Sequence, residues 1–168
     1  MHELETNELA RVLGADSAAA PPALILEGIS EEMAHRRMGL APHTIFQELW
    51  HITFWQQVSL DWVRGLETPF PAHAAAGFPS EADLNQDWDQ LRGRFFDGND
   101  EAVAVARDSG RLNVPINCPS RPGQPTRTMT VREQLESLGA HNAYHFGRIV
   151  LLRQLLGLWP PPSGGFTW

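Results

Sequence analysis

The stretch from Thr130 to Gly157 most constrains this chain, because both ends and the repeat between them specify one long α-helix. Thr130 with Glu133 three residues on is a capping box, and Gly157 followed by Pro160 is a stop. Between them Val131, Leu135, Leu138, Ile149, Leu152 and Leu156 recur at helical spacing, with Glu136, Ala143, Gly147 and Gln154 opposite. A helix of this kind must bury one face against partners of similar length, so the rest of the chain is read for those partners.

Three further long helices are predicted. Pro22 to Met38 carries Leu26, Ile29 and Met33 on one side, with Gly39 as its stop. His43 to Arg64 sets Gln57, Asp61 and Arg64 on one narrow polar face and is almost wholly apolar opposite it, through Ile45, Leu49, Ile52, Trp55, Val58 and Trp62, as a central helix would be. Ser80 with Asp83 resembles a capping box opening a helix that runs to about Asp108, with Gly98-Asn99 as a place where it could bend. A short amphipathic piece with Leu4, Leu9, Val12 and Leu13 precedes them and ends at Gly14. Residues 68–79 and 110–129 are rich in proline and read as loops, the second crossing one end of the assembly. The expected fold is therefore all-α: a single domain over residues 1–168, an up-and-down four-helix bundle with a short N-terminal helix and long Pro-rich loops.

Charge and composition remove whole classes of function. The net charge of −7 without any basic run argues against nucleic acid. All 13 basic residues are arginine, so Schiff-base chemistry and a P-loop lysine are excluded. The single cysteine, Cys118, forms no internal disulfide and reads as an ordinary loop thiol. The acidic start of the chain lacks the apolar core of a signal peptide, and no apolar run approaches a membrane span. The expected location is the cytoplasm.

The chemistry lies in three histidines on apolar arcs. His141 and His145 are four apart, so their imidazoles converge on one side of the last helix. His51 falls inside the apolar arc of the central helix. Buried imidazoles need partners for both ring nitrogens. One divalent ion shared by all three answers that need, and hydrogen bonds within the core are the alternative. Three neutral nitrogens suit Zn, Ni, Fe or Cu over Mg or Ca, and three protein ligands leave a position open. Glu48, one turn before His51, is read in four ways: a fourth ligand, a residue that orients an imidazole, a general base, or an ion-pair partner of Arg148. Arg148 is itself a candidate for contacting a carboxylate- or thiol-bearing substrate. Asn142 and Tyr144 flank the ligands and read as packing residues, and His2, His35, His43 and His73 as non-ligands. A di-iron carboxylate site lacks its second Glu-x-x-His and is set aside.

The segment His141-Asn142-Ala143-Tyr144-His145-Phe146-Gly147-Arg148-Ile149 resembles the His-x-x-x-His-x-Gly-[Gln/Arg]-Ile signature of the DinB-like (YfiT-like) superfamily. Pro42 to Ile45 and Glu48 to Ile52 resemble that family's second helix and its first metal-ligating histidine, and the closing Leu155 to Gly165 also resembles its members. The resemblance implies a four-helix bundle with metal ligands at His51, His141 and His145, and an ion that is nickel, zinc or another divalent transition metal. It implies a metal-dependent hydrolase or a thiol S-transferase acting on a small molecule with a low-molecular-weight thiol, and it is compatible with a homodimer. The chain departs from it with Arg148 where glutamine is commoner. A non-enzymatic metal-binding or stress-response protein, and a metal-free structural bundle, are the competing functional readings.

Overall fold

In the computed structural model, which describes residues 7–14 and 17–164, the best-specified helix begins where its cap dictates. Thr130 accepts from the backbone of Glu133 while the Glu133 side chain returns to the backbone of Thr130, and the helix α7 (Val131–Leu155) follows. Thr44 and Gln47 make the same reciprocal cap for α4 (Ile45–Val63). The third long helix, α5 (Trp88–Arg107), starts later than Ser80. Ser80 and Asp83 do bond to each other, but they close only a single 3-10 turn. The side chain of Asp87 caps α5, and Trp88 is held by its backbone N–H to Glu31 and by its indole N–H to the carbonyl of Ile29. Gly98-Asn99 does not split this helix.

The helix expected over 22–38 is two short ones, α2 (Pro22–Ile25) and α3 (Glu31–His35). Gly28 sits between them at φ +70°, a left-handed conformation that ends the first, and Ser30 caps the second. A third short helix, α1 (Glu8–Gly14), packs on α5 and α7; His2, Leu4 and Trp168 lie outside the described residues. After α6 (Ser109–Leu112), the segment expected to be irregular contains an antiparallel hairpin, β1 (Pro115–Cys118) with β2 (Arg127–Thr130), in which Ile116 faces Met129 and Cys118 faces Arg127. Ile116 and Cys118 alternate inward, a period-two signal only two residues deep and too short to read against four prolines. Cys118 is thus no loop thiol: it is buried on β1, donates to Gln134 on α7, and burial pushes its thiol pKa up.

The chain is therefore mostly helical with one small two-stranded sheet, and among the described residues no helix is long and apolar enough to cross a membrane. Its apolar interior has two parts. One joins Val58, Leu60 and Trp62 of α4 to Val131, Leu135 and Leu138 of α7. The other joins Ile45, Leu49 and Ile52 of α4 to Phe146, Ile149 and Leu152 of α7, with Phe95 of α5. Each fully buried aliphatic side chain contributes about 1.5–3 kcal/mol relative to exposure. His51 on α4, and His141 and His145 on α7, occupy the stretch between the two cores. Arg153 ties the tail down: buried on α7, it donates to the carbonyls of Leu24 and Leu158 and lies 5.5 Å from the Trp159 ring.

Candidate metal centre

α4 packs more extensively on α7 than on any other element, and that contact brings the three histidines together. Their ring centroids are 4.4 Å apart for His51 and His145, 4.5 Å for His141 and His145, and 5.1 Å for His51 and His141. One ring nitrogen from each lies within 4.8 Å of the other two, so the group could hold a metal ion.

The hydrogen bonds settle which nitrogens face inward. His145 Nδ1 donates to Glu48 Oε2 at 2.7 Å, and His51 Nδ1 donates to the carbonyl of Gly77 at 2.5 Å. With both Nδ1 atoms turned outward to oxygen acceptors, the Nε2 atoms are the ones left to face the cluster. His141 Nε2 sits 3.1 Å from His51 Nε2. Two nitrogens on a shared tetrahedral zinc lie about 3.3 Å apart, given Zn–N bonds of about 2.0–2.1 Å. The spacing suits a common ion. Among the described residues His141 Nδ1 is buried without a well-formed hydrogen bond, the neighbouring Asn142 side chain being the group that acts on the ring to raise its pKa.

Electrostatics favour the same use. Burial first, and the neighbouring His145 second among the lowering influences, push His51 down to about 4, against the raising pull of the Gly77 carbonyl. Burial, then His145 and His51, push His141 down to about 4. Both rings are neutral at pH 7, the form that binds metal.

Glu48 is fully buried beneath the cluster on the turn before His51. Its Oε2 holds His145, and its Oε1 lies 2.9 Å from the Arg148 guanidinium, whose side chain is about one-third exposed. Two of the four readings of Glu48 therefore occur together, the imidazole-orienting contact and the ion pair with Arg148, and Glu48 lies outside the three-residue metal group. Tyr144 is exposed at the rim, with the Arg148 guanidinium 5.8 Å from its ring, whereas Asn142 is buried.

Residues 68–79 run over His51, while Ser163, near the end of the described residues, bonds to Glu27 in the turn after α2. The 110–129 segment reaches this strap at Phe70, where Arg121 stands 5.9 Å from the ring. Phe78 stacks on His51 at 4.1 Å, with His43 on its other face at 4.0 Å. A Cβ on Gly77 would stand 3.0 Å from Trp55 Nε1, so the close approach of this backbone to His51 and Trp55 suits glycine. Nothing in the sequence marks Gly77 or Phe78 as site residues, because their bond and stacking contact depend on how a loop without periodicity folds back.

Among curated proteins none matches the chain. The sequence profile described as the DinB superfamily matches residues 23–149, which include α4, the strap, α5, the hairpin and all three histidines. The match spans most of the sequence, and the chain belongs to the DinB superfamily.

Proposed function

We propose that this protein is a metal-dependent enzyme of the hydrolase or thiol S-transferase type, acting on a small molecule in the cytoplasm. The reading takes the architecture as an up-and-down four-helix bundle in which α2 and α3 together stand for one helix. The observation that carries it is the convergence of three imidazoles, two of them with Nδ1 turned outward to an oxygen acceptor and Nε2 turned toward the cluster. His51, His141 and His145 would hold Zn, Ni or Fe, nitrogen donors suiting these ions. When bound, such an ion supplies Lewis acidity, lowering the pKa of a water or thiol that reaches its open position.

The chain's own groups have distinct parts in this reading. Glu48 is a positioning residue: it fixes the proton of His145 on Nδ1 and sets the ring's orientation. Arg148 balances the buried charge of Glu48 and, being partly exposed, has guanidinium N–H groups left for an anionic part of the substrate. Phe78 and Trp55 flank His51 and limit access of water on that side.

The test is metal content by mass spectrometry on untagged protein, wild type against His51→Ala, His141→Ala and His145→Ala, with folding followed by circular dichroism. About one equivalent in the wild type, lost from each folded variant, is the expected result, and it justifies assays of ester and amide hydrolysis and of thiol addition to electrophiles. A wild type that takes up no metal after reconstitution overturns the proposal. A loaded protein inactive throughout such assays favours the non-enzymatic metal-binding reading instead.

A further inference from the structure

On the far side of Trp55 from the histidine cluster, Phe70 opens onto a concavity of different character. It is an open hollow of about 420 Å³ lined by Phe70, Pro119, Arg121, Gln124, Pro125 and Arg127, the last four of them exposed. From this geometry we infer that the hollow is a binding site for the anionic end of a small organic ligand, a carboxylate or phosphate on an apolar body.

Three observations support it. Charge is the first. In a chain of net charge −7, most arginines have an acidic or carbonyl partner, yet neither Arg121 nor Arg127 makes an ion pair among the described residues. Two guanidiniums without a carboxylate partner among the described residues, that of Arg121 standing over the Phe70 ring, line one hollow and suit planar or tetrahedral oxyanions.

Preorganisation is the second. The register that sets Cys118 opposite Arg127 fixes the base of the turn, and the N–H of Gln124 bonds the carbonyl of Arg121 at 2.9 Å. The opposite wall is pinned as well. Thr68 accepts from the indole N–H of Trp62 and donates its hydroxyl to Asp61, both at 2.8 Å, which holds the strap at the C-terminal end of α4 and places Phe70. These bonds tie the base of the hollow and the strap beside it to the fold before any ligand arrives.

Location is the third. The Phe70 ring lies 5.0 Å from Trp55, and Trp55 lies 6.4 Å from both His51 and His141. Phe70, Pro119 and Pro125 supply the apolar body contact and the arginines the anionic one, two ring contacts from the metal cluster. Resting on the enzyme reading above, the inference narrows the substrate to one with an acidic group remote from its reacting centre. Arg121 and Arg127 would then set specificity and act on KM more than on kcat.

The test uses the full chain, zinc-loaded and again after chelator stripping, titrated with benzoate, phenyl phosphate and neutral benzamide by calorimetry. Expected is saturable binding of one or both anions, at least about tenfold tighter than benzamide and weakened about tenfold or more by Arg121→Gln or Arg127→Gln. Arg107→Gln, a surface cation outside the hollow, should leave it unchanged. Which anion binds separates carboxylate from phosphate recognition. Binding to the stripped protein should persist, so a failed metal centre leaves this titration positive and a failed hollow leaves metal content intact. Absence of saturation by both anions, equal affinity for benzamide, or an equal loss in Arg107→Gln overturns the inference.

Discussion

Replacing Glu48 by glutamine isolates what a buried carboxylate does for a histidine ligand. In the native arrangement the carboxylate can only accept, so His145 must carry its proton on Nδ1 and offer Nε2 as a lone pair. Glutamine is nearly isosteric but can present either its carbonyl or its NH2 group. With the NH2 group toward Nδ1, the tautomer reverses and a proton blocks Nε2. Losing an outer carboxylate of this kind typically weakens metal binding 10–100-fold, about 1.4–2.7 kcal/mol. A second effect falls on the fold. Arg148 loses its counter-charge, but with a side chain about one-third exposed it recovers solvation, so the metal-free protein should lose about 1–3 kcal/mol rather than the full cost of an orphaned buried ion. Competition with a chromophoric chelator reads the first quantity and urea unfolding of stripped protein the second. Zinc affinity within twofold of wild type would refute the orienting role. Complete loss of metal from a folded variant would refute it from the other direction, since it would make Glu48 a ligand.

Acid should destabilise the metal-free protein through His51 and His141. Both are held down to about 4 in the fold against an ordinary 6.5, so as pH falls from about 6.5 to 4 the unfolded chain takes up protons that the native one does not. Stability is flat with respect to these rings above that window and declines within it, by on the order of 2 kcal/mol per ring once their residual solvent contact is allowed for. Urea titrations at several pH values should show a shallower decline in the His51→Ala/His141→Ala double variant, and an identical slope would contradict the assignment. Gly98→Ala should lower stability although alanine is the better helix former by about 1 kcal/mol. Its Cβ would stand 2.1 Å from Gln56 Nε2 and break that amide's bond to the carbonyl of Phe95, for a net loss of about 1–3 kcal/mol. A thermal midpoint at or above wild type would show that Gln56 moves aside freely.

Family membership was legible in His141 to Ile149 and Glu48 to Ile52, and the structure groups the histidines those segments contain. Two of the departures from the expected fold share a long-range contact. The break between α2 and α3 and the late start of α5 meet at Trp88, whose bonds to Ile29 and Glu31 span nearly sixty residues. A helical period over 22–38 carries no trace of that bond, and neither does the Ser80–Asp83 pair.

What the sequence determined by itself was everything decided within one or two turns of chain. The reciprocal cap at Thr130, the apolar arcs of α4 and α7, and the inward setting of His51, Glu48 and His145 follow from period and capping alone. Tertiary structure decided the partners. That Glu48 holds His145, that Gly77 holds His51, and that the hairpin carries Arg121 to Phe70 are contacts between residues 26 to 97 apart. Each depends on how α4 and α7 are rotated against each other and on where a proline-rich strap is pinned. Local spacing fixes which face of a helix is apolar, whereas only the packing of that face selects the neighbour a polar atom meets.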